Sequence, residues 1–293
     1  MFATLLGPLP RPPLPGDAAP EAVLDAVLEL QAEHGLEPLT TTGWDLPAPG
    51  PADPVAAWRS AASRTDRLVK AVVPGPLTSG QDPGVVRATI AALADAGCPW
   101  IEVHEAVPDL GLPGGDAADR FADAHGRLGV GVDGVHRSLA LVGGNADVLG
   151  IAAVLAGGYA SLAVDLIDGP DNWRLVTAMP GDRGVIAGAL STRGPTDDGP
   201  EVLIWAARYA ASTGGRGEAR VGLATSGSLA GLPWEVAVRK VERLGAAARL
   251  VAAPPAVGRA AIDPRAVDIR SAAMGRITPW KPGEPRDRRG PAS

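Results

Sequence analysis

The stretch GVGVDGVHRS, from Gly129 to Ser138, carries the first evidence for the fold. Val130, Val132 and Val135 are β-branched, and such a run is typical of a short strand buried on both faces. The pattern therefore predicts a strand that ends by presenting His136. In folds made of parallel strands, residues just beyond the strands line the edge where ligands bind. We expect His136 to be a pocket residue.

Outward from this stretch, apolar runs that end in polar or glycine-containing turns alternate with alanine-rich helical patterns. This alternation indicates a parallel sheet with crossover helices. The predicted strands are Ala3–Leu9, Glu37–Thr42, Leu68–Val73, Trp100–Val103, Gly129–Val135, Ala160–Leu166, Gly184–Ala189 and Arg220–Ala224. Since one (β/α)8 barrel takes about 250 residues, we predict a single α/β TIM barrel over residues 1–273. The proline-, glycine- and arginine-rich segment 274–293 is predicted to be a disordered tail.

Composition excludes several classes of partner. A formal charge of −6 and a pI near 5.3 argue against a nucleic-acid surface, which needs a basic face. The single cysteine, Cys98, excludes an internal disulfide and a cysteine-rich metal site. The longest uncharged run, Val148–Val164, is shorter than the roughly 20 residues of a membrane span. The N-terminus has no basic region of the kind that opens a secretory signal, so we expect a cytoplasmic protein without membrane partners.

Several segments resemble one enzyme family in order and spacing. They are TLLGPLPR (4–11), LELQAEHGLEPLTTTG (28–43), LVKAVVPGPLTSG (68–80), WIEVHEA (100–106) and SGSLAGLPWEVAVRKVERL (226–244). Together they are similar to the C-terminal catalytic barrel of cobalamin-independent methionine synthase and, more distantly, to uroporphyrinogen decarboxylase. The resemblance covers nearly the whole chain up to about residue 250. It implies a methyltransferase-like barrel related to methionine biosynthesis.

In that family, zinc held by a His-x-Cys pair, a glutamate and a second cysteine binds the homocysteine thiol, which takes a methyl group from methyltetrahydrofolate. The resemblance places His136 at the family's histidine, Ser138 and Ser226 at its two cysteines, and Asp165 near its glutamate. Neutral hydroxyls are poor zinc ligands. We therefore expect a degenerate zinc site and assign no metal ligand.

Positions expected to hold the substrate also depart from the family. His104 stands where an aspartate is usual and Trp44 where a glutamate is usual, while Glu105 keeps the family identity. Neighbouring strand residues point to opposite faces, so we expect only one of His104 and Glu105 to face the pocket. Trp44 and Trp173 follow strand ends, where they would either stack on a flat ligand such as a pterin or cap the barrel rim.

Two hypotheses follow. The first is a divergent methyltransferase-like enzyme that acts on a small molecule such as a folate or a thiol, using imidazole and carboxylate groups for acid–base chemistry or for a sparse metal site. Its catalytic residues would be His136, Asp165 and His104, and its substrate contacts Glu105, Trp44, Trp173, Ser226 and Ser138. The second is a catalytically silent barrel that binds a small molecule or a partner. In that case His136 would hydrogen-bond a carbonyl group and Asp165 would pair with an arginine.

Overall fold

The computed structural model describes residues 1–41, 53–195 and 199–253. Eight parallel strands form one sheet in the order β1-β8-β7-β6-β5-β4-β3-β2. The strands are β1 Phe2–Thr4, β2 Leu39–Thr40, β3 Val69–Pro74, β4 Trp100–Ala106, β5 His136–Val142, β6 Ser161–Asp165, β7 Gly184–Leu190 and β8 Val221–Thr225. The predicted (β/α)8 TIM barrel is confirmed. The predicted tail and the domain boundary at residue 273 lie outside the described residues.

Helices separate the strands and cover the sheet. They are α1 Pro20–Glu33, α2 Pro54–Ala62, α3 Pro76–Ser79, α4 Pro83–Asp95, α5 Ala117–Gly126, α6 Gly150–Leu155, α7 Trp173–Ala178, α8 Pro200–Ser212 and α9 Trp234–Ala252. Five of these described helices begin with proline, whose fixed φ suits the first helical position and whose missing N–H is not needed there. The side chains of Asp53 and Asp82 accept backbone N–H groups of α2 and α4, which defines where these helices begin.

Hydrogen bonds join the segments around β1 and β2, which are the two edge strands of the sheet. The Glu37 N–H donates to the Ala3 carbonyl at 2.8 Å. The Thr4 hydroxyl donates to the Pro38 carbonyl at 2.7 Å, and the Thr40 hydroxyl donates to the Leu5 carbonyl at 3.3 Å. Threonine side chains thus supply hydrogen bonds at this seam beside a backbone bond.

Alternation along each strand separates two environments. Outward residues such as Ile101, Val103 and Leu139 are fully buried in the main hydrophobic core. Inward residues form a smaller apolar cluster made of Leu6, Ala140, Val142, Ala163, Ile186 and Ala224. Because many of these inward side chains are small, polar groups on β3 and β4 share the barrel interior.

The fifth strand is where the sequence prediction is wrong. Residues 129–135 are not in a strand: 129–131 belong to a turn and 134–135 to a bend, with Gly131 and Gly134 at φ of +74° and +78° and Val130 63% exposed. These left-handed glycines end an extended run, so the strand starts later. Since β5 begins at His136, that histidine lies at the N-terminal pole of the barrel, where the strands begin, instead of the C-terminal mouth, where they end.

None of the helices in the described ranges combines the length and the apolar composition that crossing a membrane requires.

Candidate active site

Three ionisable side chains meet inside the barrel. The Lys70 ammonium of β3 lies 2.8 Å from both carboxylate oxygens of Glu102 on β4 and 2.8 Å from the Leu5 carbonyl. The His104 Nε2 lies 2.7 Å from Glu102 Oε1. All three side chains have zero exposure. We call this group the interior charge cluster.

Electrostatics fix the charge of the carboxylate in this cluster. Burial alone would raise the pKa of Glu102, but the charge of Lys70 and the contact with His104 lower it to about 2. Burial also lowers the pKa of Lys70, and the carboxylate opposes that shift. Glu102 is therefore ionised at neutral pH and acts as an acceptor only.

An ionised Glu102 determines the tautomer of His104. Since a carboxylate cannot donate, the hydrogen in the short contact must be on His104 Nε2. Glu102 Oε2 also accepts the Ser138 hydroxyl at 3.5 Å, and Ser138 Oγ accepts the indole N–H of Trp100 at 2.8 Å. The carboxylate is thus surrounded by donors, and Nδ1 is the ring nitrogen of His104 that is not turned toward it.

His136 is not part of this cluster. It pairs in register with Trp100 at the start of β4, and its Nε2 lies 2.9 Å from the Ser161 hydroxyl. Its ring centroid is 3.9 Å from that of Trp100. Burial lowers the pKa of His136, and the charge of Glu102 partly offsets the shift. The prediction that His136 ends a strand at the ligand-binding mouth is wrong.

The two serines assigned to former zinc ligands lie apart. Ser138 is the third residue of β5, whereas Ser226 follows the last residue of β8 at the C-terminal mouth. His136 and Ser226 therefore lie toward opposite ends of the barrel, and β5 alone spans six steps of about 3.3 Å each. Their predicted convergence is wrong, and with it the correspondence of His136 and Ser138 to zinc-site residues.

Zinc does not fit the side chains present. Among the described residues, no group of three or more His, Cys, Asp or Glu side chains is placed to hold a metal ion. The chain's single cysteine, Cys98, is buried before β4 with its thiol 3.2 Å from the Trp100 carbonyl. Burial raises the pKa of that thiol, which disfavours the thiolate that zinc binds.

Asp165 ends β6 at the C-terminal mouth, one residue before the predicted end of this strand. Its carboxylate accepts backbone N–H groups of Gly143 at 3.1 Å, Ile167 at 2.8 Å and Asp168 at 2.9 Å. Burial raises its pKa to about 6 despite these bonds. Its partners within the described ranges are therefore backbone amides of the loops after β5 and β6, instead of the arginine considered as an alternative.

Glu105 faces the helices instead of the barrel interior. It accepts the backbone N–H groups of Leu77 and Thr78 at 3.1 and 2.7 Å, at the start of α3. His125 Nε2 lies 3.0 Å from Glu105 Oε1, and His125 Nδ1 lies 2.6 Å from the Tyr159 hydroxyl. These contacts place Glu105 between β4, α3 and α5, so its predicted role in substrate binding is not supported by its position. His104 is the member of the pair that faces the interior.

Of the two tryptophans predicted to contact a ligand, only Trp173 lies within the described residues. Trp173 begins α7 and packs edge-on against Trp205 and Tyr209 of α8, with centroid distances of 5.2 and 5.1 Å. It belongs to the packing of two outer helices and is a poor candidate for stacking on a ligand. Trp44 lies outside the described residues.

Sequence analysis missed Lys70 and Glu102. The available signal was a charged residue within each of two predicted buried strands, LVKAVV and WIEVHEA. A charge in such a run is costly unless it is paired, and two adjacent strands each carrying one predict a pair.

Comparisons with known proteins agree with this barrel. No family model matches the chain, and no curated protein matches it. The B12-independent methionine synthase from Shewanella sp. W3-18-1 superposes with a TM-score of 0.65 at 13% identity, covering 85% of this chain and 97% of that one. A methyltransferase from Methanosarcina mazei gives a TM-score of 0.60 at 15% identity, with coverages of 86% and 94%. At this identity the similarity shows the fold, a barrel resembling those of methyltransferase-like enzymes.

Proposed function

We propose that this protein is an enzyme that transfers protons to and from a small-molecule substrate, with His104 as the general acid–base group. The observation that carries the proposal is the interior charge cluster. Replacing a buried ion pair by apolar side chains is often neutral or stabilising, so the burial of Lys70 and Glu102 is weak evidence for a purely structural role. Shifted pKa values at a charged group inside a barrel are typical of functional sites.

The contacts assign a role to each member. Glu102 accepts the Nε2 hydrogen of His104 and so directs proton exchange to Nδ1. When Nδ1 takes a proton, the adjacent carboxylate stabilises the imidazolium, as in carboxylate–histidine pairs generally. Lys70 keeps Glu102 ionised throughout, so the proton does not pass to the carboxylate. Glu102 and Lys70 are positioning residues in this scheme.

The substrate class follows partly from the fold. Structural similarity to a methionine synthase and a methyltransferase supports a folate or a thiol as the first candidates. The family's zinc-dependent activation of a thiol is not part of the proposal, because the thiolate ligands are missing from the sequence. We expect far less than one zinc per purified chain, measured by elemental analysis, and stoichiometric zinc that resists a chelator would contradict this.

A silent binding barrel remains the second candidate, and the contacts of Lys70 favour it. The three donors of its ammonium have three acceptor atoms, the Leu5 carbonyl and both oxygens of Glu102. Together with zero exposure, this describes a structural ion pair as well as a catalytic one.

Imidazole NMR separates the two candidates. The chain has only four histidines, so single glutamine substitutions assign every ring in a 15N-labelled sample. We expect His104 to carry its hydrogen on Nε2 and its ring signals to move on addition of methyltetrahydrofolate or homocysteine, while those of His34 stay in place. A hydrogen on Nδ1 in the free protein would overturn the assigned mechanism. If a probe raises the thermal stability of the protein but does not shift the ring signals of His104, the second candidate, a silent binding barrel, is favoured.

A further inference from the structure

Polar side chains line the C-terminal mouth after β7 and β8, opposite the strand that carries His104. We call Ser191, Thr192 and Arg193 after β7, together with Ser226 after β8, the β7–β8 rim. The Thr192 N–H donates to Ser226 Oγ at 3.3 Å, and the two hydroxyl oxygens are also 3.3 Å apart. The Ser226 N–H donates to the Leu190 carbonyl at 2.8 Å, which holds the two loops together.

Hydrogen-bond accounting leaves a donor at this rim. Thr192 and Ser226 each have one hydroxyl hydrogen. Only one of the two hydrogens is used in the bond between the hydroxyl oxygens, whichever group donates. Within the described ranges the other hydrogen has no assigned acceptor, so it can be donated to a ligand that accepts hydrogen bonds.

Arg193, next to Thr192 in the chain, adds a cation to the loop after β7. Its backbone N–H donates to the Ser191 hydroxyl at 3.2 Å, and its side chain is 73% exposed. Its Nε lies 2.5 Å from Asp168 Oδ1, an ion pair with a residue of the loop after β6. Because Asp168 Oδ1 lies at Nε, the end of the guanidinium between its two terminal nitrogens is not the edge that faces this carboxylate oxygen. These nitrogens form the planar edge that binds carboxylate or phosphate groups in pairs of hydrogen bonds.

A second arginine near the strand ends is engaged differently. The Arg174 Nη1 lies 2.6 Å from Asp147, and its Nη2 lies 3.3 Å from Asp171. Both terminal nitrogens of Arg174 thus already face carboxylates. Arg174 is therefore a natural control for Arg193, since both are exposed arginines near the ends of neighbouring strands.

The rim and His104 face each other across the barrel. The sheet order places β4 and β8 four strands apart in a barrel of eight, which is halfway around. Between them, the inward apolar positions are Ala140 and Val142 on β5, Ala163 on β6, Ile186 on β7 and Ala224 on β8. This apolar wall leaves the polar ends of a small ligand to be bound by His104 on one side and by the rim on the other.

We propose that the β7–β8 rim binds the anionic end of the substrate, a carboxylate or a phosphate, through Arg193 and the hydroxyl groups of Thr192 and Ser226. This inference rests on the proposed function, because it places the reacting end of the same molecule at His104. In (β/α)8 barrels, the loops after strands 7 and 8 frequently bind phosphate, which agrees with the chemistry found here. The substrate class is thus a small molecule with one anionic end.

Calorimetric titration with inorganic phosphate and with succinate tests the rim, and neutral succinamide serves as the uncharged control. We expect the wild type to bind at least one of the two anions and not succinamide. Arg193→Gln should weaken binding by roughly tenfold or more, and Thr192→Val by several-fold. Arg174→Gln should leave the affinity unchanged. Asp168→Asn should strengthen binding, because it removes a negative charge beside the ligand.

The outcomes identify the anion that binds, and they show whether the anion site or the His104 mechanism is wrong. Phosphate binding without succinate binding assigns a phosphate, and the reverse assigns a carboxylate. Equal affinity of Arg193→Gln and wild type, or an equal loss in Arg174→Gln, would overturn the inference, as would no binding of either anion. His104→Gln should retain anion binding, so loss of the imidazole mechanism and loss of the rim are distinguishable results.

Discussion

Two glutamates of strand β4 each pair with a histidine, and the two pairs differ in what surrounds them. Glu102 and His104 face the barrel interior, where the counter-charge is the Lys70 ammonium. Glu105 lies three residues further along, faces the helices, and pairs with His125. Both carboxylates are fully buried. An odd separation along a strand is enough to send the two glutamates to opposite faces.

The difference shows why a buried carboxylate–histidine pair is not in itself an active site. The outer pair is a closed chain, because His125 has partners at both nitrogens and Glu105 accepts two amides of α3. Burial and then the charge of Glu105 raise the pKa of Tyr159, so its hydroxyl remains a neutral link. The inner pair has the buried Lys70 ammonium as its counter-ion and keeps one histidine nitrogen turned away from the carboxylate. We infer structure for the outer pair and chemistry for the inner one.

The largest effect should come from removing one charge of the inner pair. Glu102→Gln leaves the Lys70 ammonium buried without its counter-ion, and we expect a loss of about 3–5 kcal/mol in the free energy of unfolding. Adding Lys70→Met in the same chain should recover most of that loss. Urea denaturation of the wild type, both single variants and the double variant measures the coupling. Additive losses would show that the two side chains are not an ion pair.

Asp165, whose carboxylate accepts backbone amides, provides a contrast to Glu102, which is paired with a cation. The pKa of Asp165 rises to about 6 on folding, whereas the cation beside Glu102 lowers the pKa of that residue to about 2. Because folded Asp165 retains its proton to higher pH, its ionisation lowers stability as pH rises from about 4 to 6, by on the order of 3 kcal/mol. The Glu102 contribution has the opposite sign and is lost as pH falls from about 4.5 toward 2.

Asp165→Asn isolates that pH window. The variant should lose the decrease in stability between about pH 4 and 6, apart from a pH-independent offset for the altered amide contacts. Unfolding free energies of wild type and variant at several pH values across the window give the difference directly. A constant difference would show that the pKa of Asp165 is not raised.

The outer pair should respond more weakly and independently. Glu105→Gln replaces a charged acceptor of amide hydrogen bonds, and we expect a loss of about 2 kcal/mol. Adding Lys70→Met should not compensate for this substitution, in contrast to Glu102→Gln. The same urea titrations report both results, and a rescue by Lys70→Met would mean that the two faces of β4 are electrostatically coupled.

The smallest effect tests the end of the outer chain. Tyr159→Phe removes a hydroxyl 2.6 Å from His125 Nδ1 and should lower stability by about 1 kcal/mol. The His104 ring signals should not move in this variant. A shift of His104 would contradict the separation of the two pairs.

The sequence predicted the barrel because most strands follow a simple rule. The β6 residues SLAVD form an apolar run that stops at a carboxylate, and the predicted strand Ala160–Leu166 exceeds the observed one by a single residue at each end. Strand β5 was misplaced because Arg137 interrupts its apolar pattern, HRSLALV. In the fold, Arg137 donates to the Gly157 carbonyl at 3.1 Å and lies over the Tyr159 ring. That compensation comes from residues some 20 positions away, which periodicity cannot reveal.

The candidate site was less predictable for a similar reason. His104 was identified from its place on β4, but its partners depend on how strands align. Glu102 pairs in register with Val72, and Lys70 precedes Val72 by two residues on the same face. Only this register brings a long lysine side chain to the carboxylate. His136 was placed at the wrong end of its strand for a different reason, because the bounds of β5 were predicted seven residues too early.

The seam between β1 and β2 carries a mechanical consequence. Pairing between neighbouring strands ranges from two residues for β2 with β3 to seven for β4 with β5, while the contacts at the seam include two threonine hydroxyls that rotate freely once their acceptors withdraw. The seam is therefore a place where the two edge strands of the barrel wall can separate. Thermal opening should begin there and leave the other strands joined, so the molecule can widen as a curved sheet before it unfolds.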